Sequence, residues 1–233
     1  SVETHDPLCF QLARATGWPV LSVNYRLAPE HPFPAALEDA QAALSWLRGS
    51  AAELCIDAAK IVVAGDSSGG NIAAALTLAD KASMAAPLFG QVLIYPVIAD
   101  HFDTPSMQRF AKGFGDMEWF VAQYHGSAAG SQDPLHSPYY ATRLDGLPQA
   151  VIITAGFDPL HDEGAEYAER LRSAGNEIAF RDFEALNHGF LTLVGIAPAA
   201  KEAQDEIMEL VKALCGRSTD AVTDVTHAHQ VFK

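Results

Sequence analysis

Seven consecutive residues, Gly65-Asp66-Ser67-Ser68-Gly69-Gly70-Asn71, stand between the apolar run Ile61-Val62-Val63-Ala64 and a helical pattern. A serine on a sharp turn from strand to helix is the setting of a G-x-S-x-G nucleophile elbow, where the turn presents the hydroxyl and only small residues fit two places to either side. Two adjacent serines compete for the role. Ser67 has Gly65 and Gly69 at the flanking positions, whereas Ser68 would have Asp66 two places before it, so Ser67 is the candidate nucleophile. A helix starting at this point aims its dipole and its first N–H groups at charge developing beside Ser67, and the Ser68 N–H is the natural oxyanion donor. The alternative is a glycine-rich turn that only packs tightly or binds a phosphate; the G-x-x-x-x-G-K-[ST] pattern of a phosphate-binding loop is absent.

A serine hydroxyl is a weak nucleophile until a histidine takes its proton and a carboxylate orients that histidine. Elbow enzymes place the three in the chain order serine, acid, histidine. Of the nine histidines, His188 follows the last expected strand in Leu186-Asn187-His188-Gly189-Phe190, where a loop can reach back over the elbow. His5 and His31 precede the serine, His101, His125 and His136 fall in an irregular stretch, and His161 opens a helix. Asp158 follows the run Val151 to Ala155 and is the candidate acid, with a helix-capping role in Asp158-Pro159 as its alternative. Asp162 and Glu163, slightly later, are expected to support the first turn of that helix.

Apolar, β-branched runs alternating with helical patterns predict βα units on a mostly parallel sheet. Trp18 to Tyr25, Lys60 to Ala64, Gln91 to Tyr95, Ala150 to Ala155 and Glu177 to Phe183 read as strands, most of them without polar alternation, as for strands buried on both faces. Helices are expected over Ala35 to Arg48, Gly69 to Asp80, Asp162 to Ser173 and Ala197 to Leu214. Residues 1–215 form one expected domain. Within it, the stretch 100–140 breaks the βα rhythm around a helix at Met117 to His125 and reads as a lid or cap over the site; residues 216–233 read as a loose tail. Tyr95, at a strand end before Pro96, is a candidate pocket-lining residue, with plain core packing as the alternative.

Composition narrows the function classes. The chain is 49% hydrophobic and 19% charged, which suits a folded domain with a large core. A formal charge of −14, with no basic cluster, speaks against nucleic acid and anionic membrane surfaces and favours neutral small-molecule substrates. Cys9, Cys55 and Cys215 form neither a CxxC pair nor a zinc set, so no metal is expected and a reducing cytoplasm is the simplest setting. The uncharged stretch Pro87 to Ala99 is too short to span a bilayer. No export signal opens the chain, and its start at Ser1 without methionine reads as a continuation from upstream.

These motifs resemble the bacterial hormone-sensitive-lipase-like carboxylesterases of the α/β-hydrolase fold. Val23-Asn24-Tyr25-Arg26-Leu27-Ala28-Pro29-Glu30-His31-Pro32-Phe33-Pro34-Ala35-Ala36-Leu37-Glu38-Asp39 is similar to that family's segment after its fourth strand. Gly65 to Asn71 resembles its elbow, with Ser68 where alanine is usual, while Asp158-Pro159-Leu160 with Asp162-Glu163-Gly164 and His188-Gly189-Phe190 resemble its acid and histidine motifs. The resemblance implies cofactor-free hydrolysis of short- to medium-chain acyl esters of small, neutral substrates, with Ser67 attacking, His188 moving the proton and Asp158 holding the imidazole. It admits a homo-oligomer. Other triad hydrolases, such as lactonases or peptidases, and receptor-like proteins that hold a small molecule in the same pocket are the alternatives; His188 favours chemistry. Arg26 and Glu30 are expected to form a buried or half-buried ion pair holding their loop. The family's His-Gly-Gly-Gly oxyanion loop occurs nowhere in the sequence, so the first strands and cap of such a fold are expected to be missing and the chain to be a fragment.

Overall fold

The computed structural model describes residues 1–83, 87–99, 103–113, 117–126 and 132–216. Helices α1 (Val2–Thr16) and α2 (Ala35–Gly49) precede strand β1 (Val62–Asp66), from which the chain turns into α3 (Ser68–Ala82) and then β2 (Gly90–Ile94). The short α4 (Pro105–Phe110) and α5 (Met117–His125) follow, then β3 (Gln149–Phe157), α6 (His161–Ser173), β4 (Ile178–Asn187) and the closing α7 (Pro198–Cys215). The four strands pair in parallel in the order β1-β2-β3-β4.

Alternation along the two central strands divides the core. Val92 and Ile94 of β2, with Val151, Ile153 and Ala155 of β3, pack under α7 through Ile207, Met208, Val211 and Leu214. Leu93 and Ile152 point the other way, against Ala73 and Ala74 of α3 and Tyr167, Ala168 and Leu171 of α6. Both faces are therefore covered, and β2 and β3 carry the near-continuous apolar runs that such strands require. β1 and β4 stand at the ends of the order and are only partly buried, contrary to the both-faces reading. α2 backs α3 through Leu37, Ala40 and Leu44. α7 opens with Pro198 in its first turn, where the missing N–H has no helical partner to lose, and stops at Gly216 with φ of 70°.

The expected strand at Trp18 to Tyr25 does not form. A strand is defined by ladder hydrogen bonds, and among the described residues no strand pairs with this segment; Val20 and Leu21 stay exposed, while Trp18 packs on Phe89. The Arg26–Glu30 pair is likewise absent from the described contacts. Arg26 instead holds both carboxylate oxygens of Asp39 at 3.0 Å and Glu38 at 3.1 Å, because the first turns of α2 face its loop, and the cluster is exposed. Residues 217–233, including the expected tail with His227 and His229, lie outside the described residues, as does His101.

Candidate active site

Three loops at the carboxyl ends of parallel strands converge, the place where open α/β sheets present side chains to ligands. Ser67 follows β1, Asp158 follows β3 and His188 follows β4.

Ser67 occupies an unusual backbone conformation, φ 54° and ψ −117°. Its N–H donates to the Ile94 carbonyl at 2.9 Å, and its own carbonyl accepts from Asn71 at 3.2 Å and Val97 at 3.1 Å, so β2, α3 and the segment after β2 all grip it. The turn closes so tightly that a Cβ on Gly65 would enter the Gly69 carbonyl, and one on Gly70 would come within 2.7 Å of the Pro96 Cβ. The steric need for glycine thus falls on Gly65 and Gly70; a Cβ on Gly69 meets open space, which corrects the symmetrical reading of Gly65 and Gly69. Ser68 begins α3, and its N–H is among the first four that no helical carbonyl can accept.

Ser67 Oγ lies 2.8 Å from His188 Nε2, and His188 Nδ1 lies 2.7 Å from Asp158 Oδ2. The Asp158 side chain is 1% exposed and that of His188 16%, so the relay is shielded from bulk water and opens at the serine. Asp158 does not cap α6, whose N-cap is Leu160 with no side-chain cap bond: its Oδ1 accepts the Leu160 N–H at 2.8 Å in the turn before the helix, while Oδ2 faces the imidazole. With its carboxylate fixed at both ends, Asp158 can hold the tautomer that has Nδ1 protonated and Nε2 ready to accept from Ser67.

Tyr95 takes the core-packing alternative. It is 1% exposed, and its ring lies 4.8 Å from that of His188 and 5.3 Å from Phe190, so it backs the imidazole instead of lining open space. Burial, then the nearby Asp66 carboxylate, pushes its phenol far above the usual range. The phenol therefore stays protonated, with its O–H 3.5 Å from Asp66 Oδ2, and His5 Nε2 stands 3.2 Å from the other oxygen of that carboxylate.

Two acidic residues do more than their position in the sequence indicates. Glu163, 1% exposed, accepts the N–H groups of Ile98 at 2.6 Å and Ala99 at 3.2 Å, and Asp162 accepts the Ser106 N–H at 2.8 Å. Both reach across to the segment leaving β2, and Asp162 also meets His161 of its own helix. Asn71 acts similarly: its amide donates to the carbonyls of Val97 at 3.1 Å and His136 at 3.3 Å, beside a buried cluster in which His136 meets Phe33, Tyr124 and His125. An Asp-Glu pair at a helix start always fits a dipole argument, so only a clue to the facing backbone could have separated the two uses.

A family model described as alpha/beta hydrolase fold matches residues 1–192. Among curated proteins, the chain is 40% identical over 227 residues to the carboxylic ester hydrolase LipN of Mycobacterium tuberculosis, covering 93% of this chain and 60% of that protein. It is 38% identical to an ethyl acetate hydrolase of Pseudomonas putida, covering 92% of this chain and 68% of that one. The chain thus spans roughly two thirds of the relatives it matches. Among solved structures, a hyperthermophilic esterase of the archaeon Pyrobaculum calidifontis superposes with a TM-score of 0.86 at 38% identity, over 92% of this chain and 72% of that one.

Proposed function

The chain belongs to the α/β-hydrolase family, and on that premise we propose that it is a serine carboxylesterase acting on short- to medium-chain acyl esters. The observation that carries this reading is the continuous relay Ser67–His188–Asp158, with bonds of 2.8 and 2.7 Å and the acid buried. Ser67 Oγ adds to the ester carbonyl as its proton passes to His188 Nε2, and the Asp158 carboxylate steadies the imidazolium that forms. Negative charge gathers on the former carbonyl oxygen, where the Ser68 N–H donates. Collapse expels the alcohol, which takes the proton from His188; a water molecule, deprotonated by the same nitrogen, then cleaves the acyl-enzyme.

Relatives named as a carboxylic ester hydrolase and an ethyl acetate hydrolase support an ester as the substrate. A net charge of −14 favours a neutral one. The described parts of the 100–140 stretch serve as a lid, supported by the Asp162–Ser106 and Asn71–His136 bonds that dock Ser106 and His136 beside the acid and the nucleophile. The widely spaced cysteines fit a cytoplasmic protein, and no described helix is long and apolar enough to cross a membrane.

A fluorophosphonate probe is expected to label Ser67, and His188→Ala is expected to abolish hydrolysis of p-nitrophenyl butyrate in a chain that also carries the oxyanion loop. Tight binding of a small ligand without any ester turnover by a chain that also carries the oxyanion loop would overturn the reading in favour of a receptor-like protein.

A further inference from the structure

His161 takes no part in the relay, yet it sits between two carboxylates. Its Nδ1 lies 2.9 Å from Asp162 Oδ1 and its Nε2 3.4 Å from Asp182 Oδ2. Each carboxylate is also held on its other oxygen: Asp162 Oδ2 accepts the Ser106 N–H of α4 at 2.8 Å, and Asp182 Oδ1 accepts the Thr154 hydroxyl of β3 at 2.8 Å. Ser106 adds a second tie, its hydroxyl donating to the Pro159 carbonyl at 2.8 Å. His161 also closes the turn that carries the acid, its N–H donating to the Asp158 carbonyl at 3.2 Å. One imidazole therefore joins the start of α6, strand β4 and, through Asp162, helix α4, three residues after Asp158.

A neutral imidazole has one N–H and one lone pair, so it can donate to only one of two carboxylates and must turn its lone pair on the other. The doubly protonated ring donates to both. The geometry suits the cation.

We propose that His161, as an imidazolium bridging Asp162 and Asp182, is a positioning residue that holds the 158–161 turn so that Asp158 Oδ2 stays on His188. The inference rests on the esterase reading for its kinetic consequence, but the bridge and its effect on the Asp158–His188 bond do not. Burial opposes the charge, yet the bond to Asp162 and the nearby Asp182 outweigh it, so the proton is held more tightly than by an ordinary histidine. Asp162 is correspondingly held below the usual carboxylate range: burial alone would raise it, and His161 and the Ser106 N–H overcome that. Among the described residues these are the charged groups that face the ring, one from α6 and one from β4.

The test is proton NMR of the full chain combined with kinetics. His161 is expected to titrate above about 6.5, the ordinary histidine value. In wild type the downfield Nδ1–H resonance of His188, the signature of its bond to Asp158, is expected to be sharp; in His161→Gln and in Asp182→Asn it is expected to broaden or move upfield. The same two variants are expected to lower kcat on p-nitrophenyl butyrate about five- to tenfold with KM within twofold. If His161→Gln does not fold, Asp182→Asn, which leaves the Asp158 turn its histidine, reads the same resonance. An unchanged His188 resonance in a folded variant, or a His161 that titrates at or below the ordinary value, overturns the proposal. A wild-type chain that hydrolyses no ester while the His188 resonance still responds to Asp182→Asn would sink the esterase reading and leave the bridge standing.

Discussion

Asp158 uses its two oxygens for two purposes, one on the Leu160 N–H and one on His188, and Asp158→Asn separates them. The amide oxygen can keep the bond to Leu160, so the turn survives. The amide nitrogen, however, would face His188 Nδ1 as a donor and favour the tautomer with its proton on the wrong nitrogen. A drop in kcat on the order of 10⁴-fold is expected from such a tautomer change, with an unfolding midpoint close to that of the wild type; p-nitrophenyl butyrate kinetics beside a urea melt check both halves. Ser67 and His188 were legible as candidates because the chemistry demands their types in that chain order. Tyr95 was not: a tyrosine ending a strand can face solvent or core, and which one depends on Phe190 arriving from a segment 95 residues away.

The elbow joins β1 to α3 through a turn in which three glycines have unequal duties. Gly65→Ala would drive a methyl group into the Gly69 carbonyl, which backbone movement alone can relieve, so a loss of about 3 kcal/mol or more, or failure to accumulate folded, is expected. Gly69→Ala meets open space at the second position of α3 and is expected to be neutral or stabilising by up to about 1 kcal/mol. Chemical denaturation of the pair checks the contrast. Elements whose signal is local were readable in advance: α5 from Met117 to His125, the face of α2, and β2 and β3 with their near-continuous apolar runs. What failed was non-local. Trp18 to Tyr25 has the composition of a strand but not the neighbour, and Arg26 found Asp39 because α2 folds back against its loop, a fact no spacing along the chain contains. Burial of β1 was misjudged for the same reason, since sheet order decides which apolar strands are central.

Across the molecule, stability is expected to vary with pH through His161. Its folded-state proton affinity is raised by Asp162 and Asp182, so the bridge contributes fully below the unfolded-chain value of about 6.5 and is lost as pH rises through the higher folded value. Melting temperatures recorded upward from pH 6 are therefore expected to fall more steeply for the wild type than for His161→Gln, and parallel curves would contradict this. A different kind of cost is written into the backbone of Ser67, whose φ of 54° is an angle that residues with a side chain adopt at an expense of roughly 1–3 kcal/mol. Both Ser67→Ala and Ser67→Gly discard the hydroxyl and its bond to His188, but only glycine accepts that angle without strain. Glycine also loses more freedom on folding, by about 0.4–1 kcal/mol. Ser67→Gly is therefore expected to be more stable than Ser67→Ala by about 1 kcal/mol, or roughly 2–4 °C by calorimetry. At this position the sequence that folds best and the sequence that can react are different sequences, and on the proposed esterase reading the residue present is the one that serves the reaction.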